Sequence, residues 1–156
     1  MCWACDNPDA PYEEYAELVR STIDQYGWFI QSVYGERYHP PFSYTVGLTL
    51  HGLPELLLNG LSHHDATPLL NNLTHHVVHH GGRYTTGQTF TLVDGPAIEV
   101  VQINEPTAHL HTAVNLFGPI VAAQQLVYAD DRGHWPWDVG FRGRQRVFGP
   151  RSPKAA

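Results

Sequence analysis

Cysteine is nearly absent from this chain: of 156 residues only Cys2 and Cys5 are cysteine, both in the opening Met-Cys-Trp-Ala-Cys-Asp. In a reducing compartment a lone pair at this spacing is a metal or redox element rather than a structural crosslink. An excess of positive charge is also missing. The formal charge of −6 argues against a protein that binds by neutralising phosphates, so nucleic acid is not an expected partner. No stretch approaches the roughly 20 apolar residues of a membrane span, and no charged region followed by an apolar run opens the chain. The expectation is a cytoplasmic protein without a membrane partner. A glycine-rich phosphate loop, a Gly-x-Ser-x-Gly elbow and a His-Glu-x-x-His helix are all lacking, and several enzyme classes lose support with them.

What the chain does have is a hydrophobic fraction of 42% and a length that suits one compact core. Residues 1–150 are expected to form a single domain, with 151–156 a disordered tail. Asp9 and Pro11 suit a helix start, Tyr15, Leu18, Val19, Thr22, Ile23 and Tyr26 share a helical face, and Gly27 ends the run. Residues 28–33 read as a strand, broken by His39-Pro40-Pro41. The apolar segments 42–50 and 55–61 follow as a hairpin around His51-Gly52-Leu53-Pro54. Ser62 and Asp65 form a capping-box signature for a helix to His80, which Gly81 and Gly82 close. Residues 88–93 and 97–103 pair around Asp94-Gly95. Pro106 opens a shorter helix with Leu110, Val114 and Phe117 on one face, Gly118 stops it, and 121–128 returns to strand. From Asp130 onward the Gly, Arg, Trp and Pro content suggests an irregular surface wrap. The fold class is α+β: about three helices packed on a largely antiparallel sheet of about six short strands.

Several of these segments carry a resemblance. Met-Cys-x-x-Cys, Tyr26-Gly27-Trp28, the block Pro40-Pro41-Phe42-Ser43-Tyr44-Thr45-Val46-Gly47-Leu48, His51-Gly52-Leu53-Pro54-Glu55-Leu56 and Trp135-Pro136-Trp137-Asp138 occur in this order. Together they resemble the bacterial domain of unknown function 4262. That family carries no established activity, so the resemblance implies a pattern rather than a mechanism.

Eleven histidines are available as ligands. Turned at about 100° per residue, the second helix places His80 within the apolar arc of Ala66, Leu69, Leu70, Leu73 and Val77, with His76 on its flank, so both are expected to face inward. His75 and His79 project from nearly the opposite side, one turn apart. His109 and His111, two apart on a helix, point different ways and are poor joint ligands. His51, at the hairpin turn, is placed to reach a cleft, with Glu55 close in sequence as a base or a group that orients the imidazole. Tyr44 and Thr45 alternate across a strand and so cannot share one pocket.

The leading reading is transition-metal binding, zinc first, through Cys2 and Cys5 completed by histidines among His51, His76 and His80 or by a second copy in a dimer, with a structural or hydrolytic role. If catalytic, His51 and Glu55 are the residues that act. The alternative is a non-enzymatic ligand-binding or interaction module that takes a small molecule in an aromatic pocket, with Tyr44, Trp135 and Trp137 as its binding residues. A second alternative is a thiol-redox protein or a small barrel that holds a flavin, on fold analogy.

Overall fold

The computed structural model describes residues 6–151; Cys2 and Cys5, and the tail beyond Arg151, lie outside the described residues. Six strands form one open sheet in the order β1-β2-β3-β6-β5-β4. They are β1 (Phe29–Val33), β2 (Phe42–Val46), β3 (Glu55–Asn59), β4 (Thr89–Thr91), β5 (Ala97–Gln102) and β6 (Ala123–Tyr128). Every pairing is antiparallel except the central one, where β3 runs parallel to β6 with Glu55 opposite Ala123. The described residues form a single α+β domain. Because the sheet is open, the barrel of the flavin alternative is not formed: β4, only three residues long, and β1 are the two edges.

Helices cover both faces: α1 (Tyr12–Tyr26), α2 (His63–His80), α3 (Pro106–His109) and α4 (His111–Phe117). Strand alternation divides the core in two. On one face α2 packs Ala66, Leu70, Leu73 and Val77 onto Leu56, Leu58, Ile98, Val100 and Leu126. On the other, Val19 and Ile23 of α1 and Ala113 of α4 pack onto Tyr44, Val46, Leu57, Ile103 and Ala123. In α1 the buried residues are Ala16, Val19 and Ile23, whereas Leu18 and Tyr26 of the expected face are exposed. A narrow stripe suffices, because α1 touches the sheet along one edge of its surface.

The caps behave as the residue types require. Ser62 Oγ accepts from Asp65 N at 3.2 Å, satisfying one of the free amides at the start of α2, and Gly81 closes that helix in the left-handed conformation.

Several expected elements are cut short, β3 to Glu55–Asn59 and β4 to Thr89–Thr91 among them. Residues 42–50 do not form one strand: β2 stops at Val46 and a 3-10 turn spans Leu48–His51. At Gly47 φ is +136°, and a Cβ there would meet Gly27 O and Trp28 Cα at 3.1 Å, so only glycine lets the chain turn this close to its neighbour. The helix opened by Pro106 breaks at Leu110, whose φ of −96° and ψ of 59° separate α3 from α4. The strand expected from 121 starts at Ala123, after a second 3-10 turn over Gly118–Ile120.

Beyond Ala129 the described chain has no helix or strand, yet its last part is tied into the sheet. Gln125, fully buried on β6, donates from Nε2 to Arg146 O at 2.7 Å and accepts from Phe148 N at 2.8 Å. Asn59 Oδ1 accepts from Arg146 N at 2.7 Å, and Asn104 N donates to Phe148 O at 3.1 Å. Buried side-chain amides therefore replace the missing ladder partners of this strap. At Gly149 a Cβ would lie 1.9 Å from Gln102 O, so a side chain there would force the strap off the sheet. Arg151, counted with the tail in the sequence reading, forms a two-pronged ion pair with Glu99, both contacts at 2.9 Å.

Candidate ligand site between the sheet and the C-terminal strap

Among the described residues, those singled out from the sequence do not converge on one site. Glu55 is fully buried rather than solvated at the start of β3. Its Oε1 accepts from Thr45 Oγ1 at 2.8 Å and Leu48 N at 3.0 Å, and its Oε2 from Thr49 N at 2.9 Å, Gly47 N at 3.2 Å and Thr49 Oγ1. Burial pushes the carboxyl up from the usual range, against the hydrogen bonds of Thr49, Thr45 and Gly47 that pull it down. The carboxylate is thus the hub around which the chain turns after β2, which is why that strand ends early.

His51 lies at the end of this turn, exposed to solvent and not among the residues that line the cavity described below. His76 and His80 are exposed as well, a correction to their expected inward placement. The buried face of α2 is made by Ala66, Leu70, Leu73, Thr74 and Val77, and neither histidine belongs to it. Among the described residues, no three His, Cys, Asp or Glu side chains come together as a metal-holding group. Trp135 and Trp137 stack on one another with centroids 5.5 Å apart, and the Arg151 guanidinium sits 4.0 Å over Trp137. Neither lines the cavity with Tyr44.

Tyr44 does lead to a site. It forms part of the wall of a cavity of about 500 Å³ on the α1/α4 side of the sheet. Gln31 and Val33 of β1, Phe42 and Tyr44 of β2 and Asn59 at the end of β3 supply its sheet wall. Tyr34, Glu36, His39 and Pro40 from the β1–β2 loop form the rim on one side. Ala108, His109, His111 and Thr112 face them from α3 and α4, and Arg146 and Phe148 of the strap complete the lining. The break at Leu110 is what brings His109 and His111 to one cavity, although on a continuous helix they would diverge.

The polar groups of the wall are held in place. Thr112 N donates to Tyr44 Oη at 3.0 Å, and Thr112 Oγ1 donates to Gln31 Oε1 at 3.0 Å, where Tyr15 Oη also donates. Burial pushes the Tyr44 phenol up to about 12, with Thr112 opposing, so it stays protonated. His109 lies flat on Phe148 with centroids 3.9 Å apart, and Phe42 meets Phe148 edge-on at 5.5 Å. Burial, then the charges of Arg146 and His111, push the His109 imidazole down against a smaller upward pull from Glu105, so it stays neutral at pH 7. Asn59, buried in the floor, has its Nδ2 without a hydrogen-bond partner among the described residues.

Comparison with known proteins supports the resemblance in the sequence. The family model described as Domain of unknown function (DUF4262) matches residues 22–142. The chain belongs to the DUF4262 family. No curated protein and no solved structure matches it. The matched span of this DUF4262 domain starts within α1 and stops before the strap, so Arg146 and Phe148 lie outside it. Among the described residues, no helix is long and apolar enough to cross a membrane.

Gln31, His39, Asn59, Gln125, Arg146 and Phe148 are not among the candidate residues that the sequence motifs mark. The two glutamines inside an otherwise apolar strand, Gln124 and Gln125, were the available signal. An amide amid Val, Leu and Ala marks a place where another backbone docks.

Proposed function

We propose that this DUF4262 domain binds a small organic molecule in the cavity between the sheet, α3–α4 and the strap. The observation that carries the reading is the cavity itself: about 500 Å³, with aromatic walls and polar side chains held in place by hydrogen bonds. This is the ligand-binding alternative drawn from the sequence, with Tyr44 retained and the two tryptophans replaced by Phe42 and Phe148. The test is a thermal-shift screen of small molecules against the parent and an Ala108→Trp variant, in which the indole fills the rim. Compounds that stabilise the parent but not the variant support the reading. No stabilising compound, or equal shifts in both proteins, overturns it.

Zinc at Cys2 and Cys5 is the other proposal the sequence carries. Metal analysis of protein purified without chelator, beside a Cys2→Ser, Cys5→Ser double variant, decides it. About one metal per chain, lost in the variant, supports that proposal, and none in either protein removes it.

A further inference from the structure

Resting on the ligand-binding reading above, we infer that the occupant is a small organic anion, a carboxylate or phosphate monoester on a flat apolar body, whose charged oxygens are taken by Arg146. Two of the strap's arginines, Arg146 and Arg151, have opposite fates. Arg151 spends its fork on the buried carboxylate of Glu99. Arg146 has no carboxylate partner among the described residues. Its guanidinium instead donates to His39 Nδ1 at 3.2 Å. Arginine can only donate, so His39 Nδ1 carries no proton and its proton resides on Nε2, a further donor beside the guanidinium.

The backbone of Arg146 is fixed independently of its side chain, by Asn59 on its N–H and Gln125 on its C=O. A cation on such a mount is a preorganised anchor, and the planar fork matches both carboxylate and phosphate oxygens. Glu36 is the one carboxylate in the lining and does not pair with Arg146, so the guanidinium is not neutralised from within the cavity. Phe148, Phe42 and the His109 ring supply the apolar walls that a flat body needs.

The experiment measures affinities of the full chain for benzoate, phenyl phosphate, neutral benzamide and inorganic phosphate by ligand-observed NMR, for the parent and Arg146→Gln. The expected result is one anion bound at least about tenfold tighter than benzamide, with that preference lost in Arg146→Gln at unchanged melting temperature. Tighter benzoate assigns the source to a carboxylate, and tighter phenyl phosphate to a phosphate ester. Inorganic phosphate binding as well as phenyl phosphate overturns the flat body. Benzamide binding as well as both anions overturns the anion inference and leaves the ligand-binding reading standing. Failure of all four probes on the parent, with an empty screen, removes both.

Discussion

Gln125→Leu tests how the strap builds the site. Gln125 is fully buried, and among the described residues its amide is the hydrogen-bond partner of both Arg146 O, at 2.7 Å, and Phe148 N, at 2.8 Å. Leucine fills a similar volume, so the substitution removes the polar contacts without opening a large void. Each backbone group left unpaired against an apolar side chain costs about 1–3 kcal/mol, giving roughly 2–6 kcal/mol if the strap stays down. The strap can also lift, which caps the loss at whatever its remaining ties supply: Asn59 to Arg146, Asn104 to Phe148, and Arg151 to Glu99. The expected destabilisation is therefore about 2–4 kcal/mol, the lower part of that range. With a urea m-value of about 2 kcal/mol/M, the unfolding midpoint falls by roughly 1–2 M. Hydrogen exchange separates the two routes. Lifting of the strap exposes the Arg146 and Asn104 amides while the amides of β5 and β6 stay protected. A midpoint change below about 0.3 M, with the Arg146 amide still protected, would refute the claim that buried amides hold the strap.

Two further outcomes test the other polar hubs. Glu55→Gln places an amide donor against backbone N–H groups that now donate to the carboxylate, so it should cost about 2–4 kcal/mol in urea unfolding. Ligand affinity should be unchanged because Glu55 does not line the cavity, and an affinity loss at parental stability would return it to the site. At Asp130, burial alone would raise the carboxyl, but the N–H groups of Arg142, His134 and Arg132, aided by the His134 ring, outweigh it and hold the carboxyl below its ordinary range. A folded pKa below the unfolded one means stability that is present above about pH 4 and lost as pH falls through the folded value. The melting temperature of the parent should therefore drop more steeply below about pH 4 than that of Asp130→Asn, and parallel profiles would contradict the assignment.

Much of the architecture was legible in the chain because it follows from local rules. Ser62 before an apolar periodicity and Gly81 after it bound α2, and Asp94-Gly95 between two short β-prone runs marks the β4–β5 hairpin. Alternation along 42–46 sends Tyr44 and Thr45 to opposite faces, and they do face apart: Tyr44 joins the α1/α4 core while Thr45 donates to Glu55. The family motif was legible for the same reason, as a contiguous pattern. What could not be read locally was where polar groups find partners. Glu55 looks like a solvated strand-end carboxylate until three backbone amides of the preceding turn close on it. His109 and His111 look divergent until the chain breaks at Leu110. The cavity brings Gln31, Tyr44, Asn59, Thr112 and Arg146 together from elements far apart in the chain. By itself the sequence determined which helices and strands form and, at α2 and the β4–β5 hairpin, where they turn or stop, since caps, glycines and side-chain periods act within a few residues. Only the tertiary structure decided the site, because burial, pairing of buried amides and a guanidinium left without a carboxylate depend on what the packed sheet brings alongside.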